Sequence, residues 1–164
     1  MKSLLGMSLV ELQNVVAQHN MPKFTAKQLV DWLYRKRVTT FDEMTNLSKQ
    51  TRQLLAENYE TGYRAFADVQ ESKDGTKKYL FPAENGFVET AYIPEKERAT
   101  LCVSCQVGCK MNCLFCQTGK QGFQGNLSAG DIINQILNLP EYENLSNFVF
   151  MGMGEPMDNY DNIM

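Results

Sequence analysis

Cysteine is absent from this chain except in one short window. All five cysteines fall between residues 102 and 116, and the 164 residues contain only one histidine, His19, and one tryptophan, Trp32. An odd number of thiols packed so locally does not suit the disulfide framework of a small secreted domain; it points to a reducing compartment and to metal ligation. His19 lies far from the thiols, which argues against a mixed Cys/His zinc finger, and it is expected to decorate the end of a helix. No apolar run reaches the length of a membrane span, and the stretch from Met1 to Val10 meets Glu11 before a signal-peptide core develops. A cytoplasmic chain with no membrane partner is therefore expected. Positive charge is scarce as well: the net charge is −3 and the pI about 5.2, so there is no general electrostatic attraction for nucleic acid. Only the local clusters Arg35-Lys36-Arg37 and Lys73 to Lys78 remain, each either a solvated face or a phosphate contact. Hydrophobic content of 43% is enough for one compact domain or two small ones.

What is present is the run Cys109-Lys-Met-Asn-Cys113-Leu-Phe-Cys116. Three thiolates spaced C-x3-C-x2-C on one loop can ligate three irons of a [4Fe-4S] cluster, whereas an electron-transfer ferredoxin closes the fourth iron with another cysteine. An iron left open can bind a substrate or cofactor. The competing arrangement is zinc, because Cys102/Cys105 and Cys113/Cys116 are two C-x2-C pairs. The objection is the gap: residues 106–112 alone separate the pairs, against about 12 to 20 residues in a zinc ribbon, and Cys109 is left over.

Residues 1–60 read as a helical bundle. Leu9, Leu12, Val15 and Val16 recur at helical spacing, as do Leu29, Val30, Leu33 and Tyr34 behind Thr25, a candidate N-cap; a third helix follows Ser48. Pro22 marks the turn between the first two, and Trp32 and Phe41 are candidate core residues. Residues 61–95 read as a β-meander linker, with strands over 64–71, 77–82 and 87–93 separated by Asp74-Gly75 and Asn85-Gly86. Alternation places Phe87, Glu89, Ala91 and Ile93 on one face, so Glu89 sits among apolar neighbours, where a carboxylate either finds a partner or has its pKa raised; the alternative is an edge-strand carboxylate facing water. Residues 96–164 read as β-loop-α-β: a strand over 99–105, the cysteine loop, a helix opened by the capping box Ser128-Ala-Gly-Asp131, and a buried strand Phe148-Val-Phe-Met151. The fold class expected is α/β, with strand ends carrying the site as in α/β barrels. No internal repeat is evident.

The last strand runs into Gly152-Met-Gly154-Glu155-Pro156. Two glycines let backbone approach a ligand, and a carboxylate beside them accepts hydrogen bonds from an ammonium group. One parallel strand after a C-x3-C-x2-C loop, this resembles the Gly-Gly-Glu type motif with which radical S-adenosylmethionine (SAM) enzymes hold the amino group of SAM. More closely, Thr100-Leu-Cys102-Val-Ser-Cys105-Gln-Val-Gly-Cys109, Gln121-Gly-Phe123, Asn126-Leu127, Met151-Gly-Met-Gly-Glu-Pro156 and Phe87-Val-Glu-Thr-Ala-Tyr-Ile-Pro94 resemble the RlmN branch of the RlmN/Cfr family. Pro156 favours RlmN, since Cfr tends to carry Ala there.

The resemblance implies a partial TIM-like radical SAM barrel and an enzyme that methylates C2 of an adenosine in 23S rRNA and in the tRNA anticodon loop. It implies a [4Fe-4S] cluster on Cys109, Cys113 and Cys116, and SAM on Gly154 and Glu155. By the same resemblance Glu89 is a proton acceptor and Cys102 resolves a protein–RNA adduct through a transient disulfide, while Cys105 stands where the family more often has Ser and receives no part. The family also implies an electron donor such as flavodoxin and a monomer when full length. Its mechanism uses one SAM to methylate a cysteine near the C-terminus and a second, reductively cleaved, to make that methyl group a carbon radical that adds to adenine. That methyl-carrying cysteine has no counterpart before Met164, so the chain is expected to match the N-terminal half of such an enzyme, truncated within the barrel, and to be inactive alone.

Overall fold

The computed structural model describes residues 1–164, which form two compact units, Met1–Tyr63 and Arg64–Met164.

In the first unit, β1 (Lys2–Ser3) precedes α1 (Leu9–Gln18), α2 (Thr25–Val30) and α3 (Lys49–Asn58), and β2 (Tyr59–Glu60) returns to pair in parallel with β1. Ser8 opens α1 with a capping box, its hydroxyl accepting from the Glu11 amide at 3.3 Å while Glu11 Oε2 accepts from the Ser8 amide at 2.7 Å. Such a cap contributes about 1 kcal/mol. Ser48 caps α3 through its hydroxyl alone, which accepts from the Thr51 amide at 3.1 Å. Thr25 does not cap α2. The turn through Pro22 is already helically wound, Thr25 N–H bonds the Pro22 carbonyl at 2.9 Å, and the cap position falls to Phe24, leaving Thr25 buried. The helix runs on as a π-helical segment, Asp31–Arg35. Leu12, Val16, Leu29, Trp32, Leu33, Phe41 and Leu55 close one core.

In the second unit, β3 (Asp68–Glu71), β4 (Lys77–Ala83), β5 (Gly86–Pro94) and β6 (Ala99–Cys102) are antiparallel neighbours. A small antiparallel pair follows, β7 (Gln106–Val107) with β8 (Gly125–Asn126), the cysteine loop and the short α4 (Gln117–Lys120) lying between them. Then come α5 (Ala129–Leu137), β9 (Asn147–Val149), which pairs in parallel with β6, and α6 (Tyr160–Ile163). The main sheet has the order β3-β4-β5-β6-β9.

Three expectations change here. The meander of residues 61–95 is no separate linker, because β5 pairs directly with β6, Ala91 opposite Cys102. The strand expected from residue 64 begins at Asp68, because the Arg64 main chain instead bonds Asn134 of the helix α5 and its C-cap Asn138. Phe148–Met151 is not a buried strand: β9 is a sheet edge, and Phe148 is 54% exposed.

The core of this unit lies between the sheet and α5. Tyr79, Phe81, Val88, Tyr92, Leu101 and Val103 meet Leu127, Ile132 and Leu139. The amphipathic pattern behind Ser128 and Asp131 sets α5 on that face, its N-terminus closed by the expected capping box. The buried Gln135 fixes the helix to the sheet: its Oε1 accepts from Thr90 Oγ1 at 2.7 Å and from the Ser104 amide at 2.9 Å, and its Nε2 donates to the Ser104 carbonyl at 3.0 Å. No helix is long and apolar enough to cross a membrane.

Candidate functional site

Because β5 and β6 alternate, covering one sheet face with α5 leaves the other face open. Val88, Thr90 and Leu101 point to the helix; Glu89, Ala91 and Cys102 belong to the opposite face, with Ala91 directly across from Cys102 and Glu89 on the diagonal. The face read as placing Glu89 among apolar neighbours is therefore the less buried one. Glu89 is about half exposed and pairs with Lys78 Nζ at 3.0 Å, and β5 is interior to the sheet, not an edge. Burial raises the Cys102 thiol above its usual pKa. Cys105 points into the core, where burial, aided by the Glu155 charge, pushes its thiol up to about 11. That suits a small apolar core residue and not a reactive thiol.

Beyond Cys102 the chain leaves β5 and runs alongside the Gly152–Glu155 segment. Val103 N–H donates to Val149 O at 2.8 Å, Gly152 N–H to Val103 O at 3.1 Å and Cys105 N–H to Met153 O at 2.9 Å. This is why the strand expected over 99–105 pairs with β5 only as far as Cys102. The Ser104 hydroxyl links both neighbours, accepting from the Met153 amide at 2.8 Å and donating to the Glu89 carbonyl at 2.5 Å. Gly154 has φ +98°, and a Cβ there would lie 2.5 Å from Gln106 Cβ, so side-chain-bearing residues are excluded twice over. The Glu155 amide donates to Gln106 Oε1 at 2.9 Å.

The cysteine loop leaves the same segment at Gly108, whose φ is +73° and where a Cβ would meet the Gly122 carbonyl at 1.7 Å. Cys109 is buried and its Sγ accepts from the Met111 amide at 3.5 Å; Cys113 is exposed and Cys116 intermediate. All five thiols are free. The Gly119 amide, helped by Thr118, holds the Cys116 thiol below its usual pKa. Leu114 and Phe115 are 92% and 94% exposed. No three His, Cys, Asp or Glu side chains are drawn together as a metal site. The donor set nevertheless fits an iron–sulfur cluster in chemistry: three soft thiols on one glycine-bounded loop.

Sequence reasoning singled out Glu89, Cys102, Cys109, Cys113, Cys116, Gly154 and Glu155 but missed Ser104, Gln106, Lys110 and Asp158. A glutamine in the middle of Val103-Ser-Cys-Gln-Val107 was the available signal, since a buried amide must find partners.

An α/β sheet with a C-x3-C-x2-C loop and a Gly-x-Gly-Glu loop joined at one segment defines the radical SAM class. Residues 103–164 match the Radical SAM superfamily model. The chain superposes over 100% of its length on half of a radical SAM methyltransferase from Sphaerobacter thermophilus, with a TM-score of 0.91 at 36% identity. Residues 2–61 match the ribosomal RNA large subunit methyltransferase N-terminal domain. Proteins described as probable dual-specificity RNA methyltransferase RlmN from Bacteroides thetaiotaomicron and Porphyromonas gingivalis are 59% identical over 98% of the chain, and the RlmN of Desulfosudis oleivorans is 47% identical over 89%. The chain is similar along its length to the N-terminal half of RlmN proteins. It spans about half the length of the curated relatives it matches, 47% of the Bacteroides protein.

Proposed function

We propose that this chain is the cofactor-binding half of a radical SAM RNA methyltransferase that acts on C2 of adenosine in 23S rRNA and in the tRNA anticodon loop. Cys109, Cys113 and Cys116 hold a [4Fe-4S] cluster, and Gly154 and Glu155 hold SAM. When bound, these two groups supply the one-electron chemistry by which an amidine carbon that is no nucleophile can gain a methyl group.

The observation that carries the reading is the hydrogen-bonded seam between Val103–Gln106 and Val149–Glu155. It presents the glutamate loop at the root of the cysteine loop, so that the thiols that would hold an iron and the carboxylate that would meet the ammonium group of its ligand start from one sheet end. Glu89 and Cys102, on the open sheet face beside that seam, take the proton acceptor and adduct-resolving parts, with Lys78 Nζ 3.0 Å from the Glu89 carboxylate. Cys102 requires activation in the assembled enzyme, since burial favours its neutral thiol. RNA, and an electron donor such as flavodoxin, are the partners this chemistry needs.

The test is genetic. A gene carrying this chain together with the remainder of the family's length should restore 2-methyladenosine to the rRNA and tRNA of a strain lacking it, as read by mass spectrometry of digested RNA. Restoration of neither would remove the substrate assignment.

A further inference from the structure

Gln106 is fully buried, and its amide is satisfied on both sides: Nε2 donates to Asp158 Oδ2 at 2.7 Å and to Asn126 Oδ1 at 2.8 Å, while Oε1 accepts from the Glu155 amide at 2.9 Å. The two ends of an amide are not interchangeable. With a carboxylate oxygen on one side, only the NH2 group can face it, which forces the carbonyl oxygen toward Glu155. Asp158, together with Asn126 Oδ1, thus sets the orientation in which Gln106 can receive the Glu155 N–H. Asp158 is in turn held by Lys110, the residue after Cys109, whose Nζ lies 3.0 Å from the same Oδ2 and 4.4 Å over the Phe123 ring. The chain of contacts therefore runs from the cysteine loop, through a carboxylate and a buried amide, to the backbone of the glutamate loop.

We propose that Gln106, oriented by Asp158, is a positioning residue that fixes the Glu155 backbone and so aims the Glu155 carboxylate at the ammonium group of SAM, with the Lys110–Asp158 pair linking that aim to the cysteine loop. This rests on the cofactor assignment made above. What Asp158 supplies is an acceptor for Gln106. An asparagine at 158 still offers such an acceptor, and a leucine does not.

The experiment compares the wild-type chain with Asp158→Asn, Asp158→Leu and Gln106→Met by two readouts. The first, on the cluster-free chain, is hydrogen exchange at the Glu155 amide. Protection is expected in the wild type and Asp158→Asn, and loss of at least about tenfold in Asp158→Leu and Gln106→Met, as for a buried donor left unpaired. The second, after anaerobic cluster loading, is the SAM concentration that perturbs the electron paramagnetic resonance spectrum of the reduced cluster. It should rise about tenfold in Asp158→Leu at unchanged iron content and stay within about threefold in Asp158→Asn. Asp158 lies near the surface, so its variants keep the test open even if Gln106→Met does not fold. Unchanged Glu155 exchange in Asp158→Leu overturns the proposal, as does equal damage from Asn and Leu, or lost protection with unchanged SAM response. A wild-type chain that takes up no cluster or SAM, while Glu155 exchange follows the expected pattern, would place the failure in the cofactor assignment and leave the positioning of Glu155 by Gln106 standing.

Discussion

The two loops that meet at the end of the sheet are built in opposite ways. The glutamate loop is held by main-chain bonds to Val103 and Cys105, by the Ser104 hydroxyl and by the Gln106 amide. The cysteine loop is tied at its root by Gly108 and Cys109, and then extends with Cys113, Leu114 and Phe115 exposed. The difference follows from what each must hold. A carboxylate and backbone polar groups for an organic ligand can be preset, because their partners in the fold are neutral amides and hydroxyls. Three thiolates owe their stabilisation to the metal that neutralises them.

The largest expected effect exploits that contrast. On anaerobic cluster loading, protease cleavage after Lys120, which is exposed at the end of α4, should slow by more than about tenfold as the cluster holds the segment, while exchange of the Met153 amide stays as it was. Equal changes in both loops would erase the distinction. Next is the rigid side. Gln135→Leu strips partners from Ser104 and Thr90 in the core and should cost about 2–3 kcal/mol, read by denaturant unfolding. Because Ser104 anchors Met153, it should also raise exchange through the glutamate loop. A shift in stability with no change there would show that the loop is held by something other than this network.

A smaller effect serves as a control remote from both loops. Glu141 accepts from Lys77 Nζ at 2.8 Å and Tyr79 Oη at 2.8 Å. Burial raises its pKa, but these two donors outweigh burial and leave it below the usual carboxylate value. A carboxyl depressed in the folded state contributes stability that is complete above its unfolded pKa, about 4.3, and lost as pH falls through the lower folded value. Glu141→Gln should therefore narrow the stability difference between pH 6 and pH 3 without altering cluster uptake. The smallest effect concerns RNA. Arg35 and Lys36 both pair with Asp31, at 3.2 and 3.4 Å, and Lys36 lies over the Trp32 ring at 3.5 Å. Phosphate must compete with these partners, so replacing Arg35, Lys36 and Arg37 by Ala in a full-length family enzyme should flatten the salt dependence of RNA affinity by only about one unit. No change would make the cluster a solvated helix face.

Local signals were legible where the residues carry their own instructions. Ser128 with Asp131, Ser48 and Asp74-Gly75 act within a few residues and each sits where the spacing placed it, while the second hairpin turns at Glu84-Asn85, one residue before Asn85-Gly86, because Gly86 already pairs with Ala83. The cysteine and glutamate motifs were visible for the same reason. What escaped depends on distant partners. Phe148 reads as buried from its neighbours, yet lies on an edge strand. Which face of β5 carries Glu89 was legible from alternation, but which face α5 covers was not. Gln106 and Asp158 are separated by a long stretch of sequence and acquire meaning only when the sheet brings them together.

The most direct trial of the cysteine loop is its metal content after anaerobic reconstitution of the chain with iron and sulfide. About four irons and four sulfides per chain, visible absorption that bleaches on reduction, and loss of all three when Cys109, Cys113 and Cys116 are replaced by Ala are expected. Stoichiometric zinc in a colourless protein, or iron retained after those replacements, would contradict it.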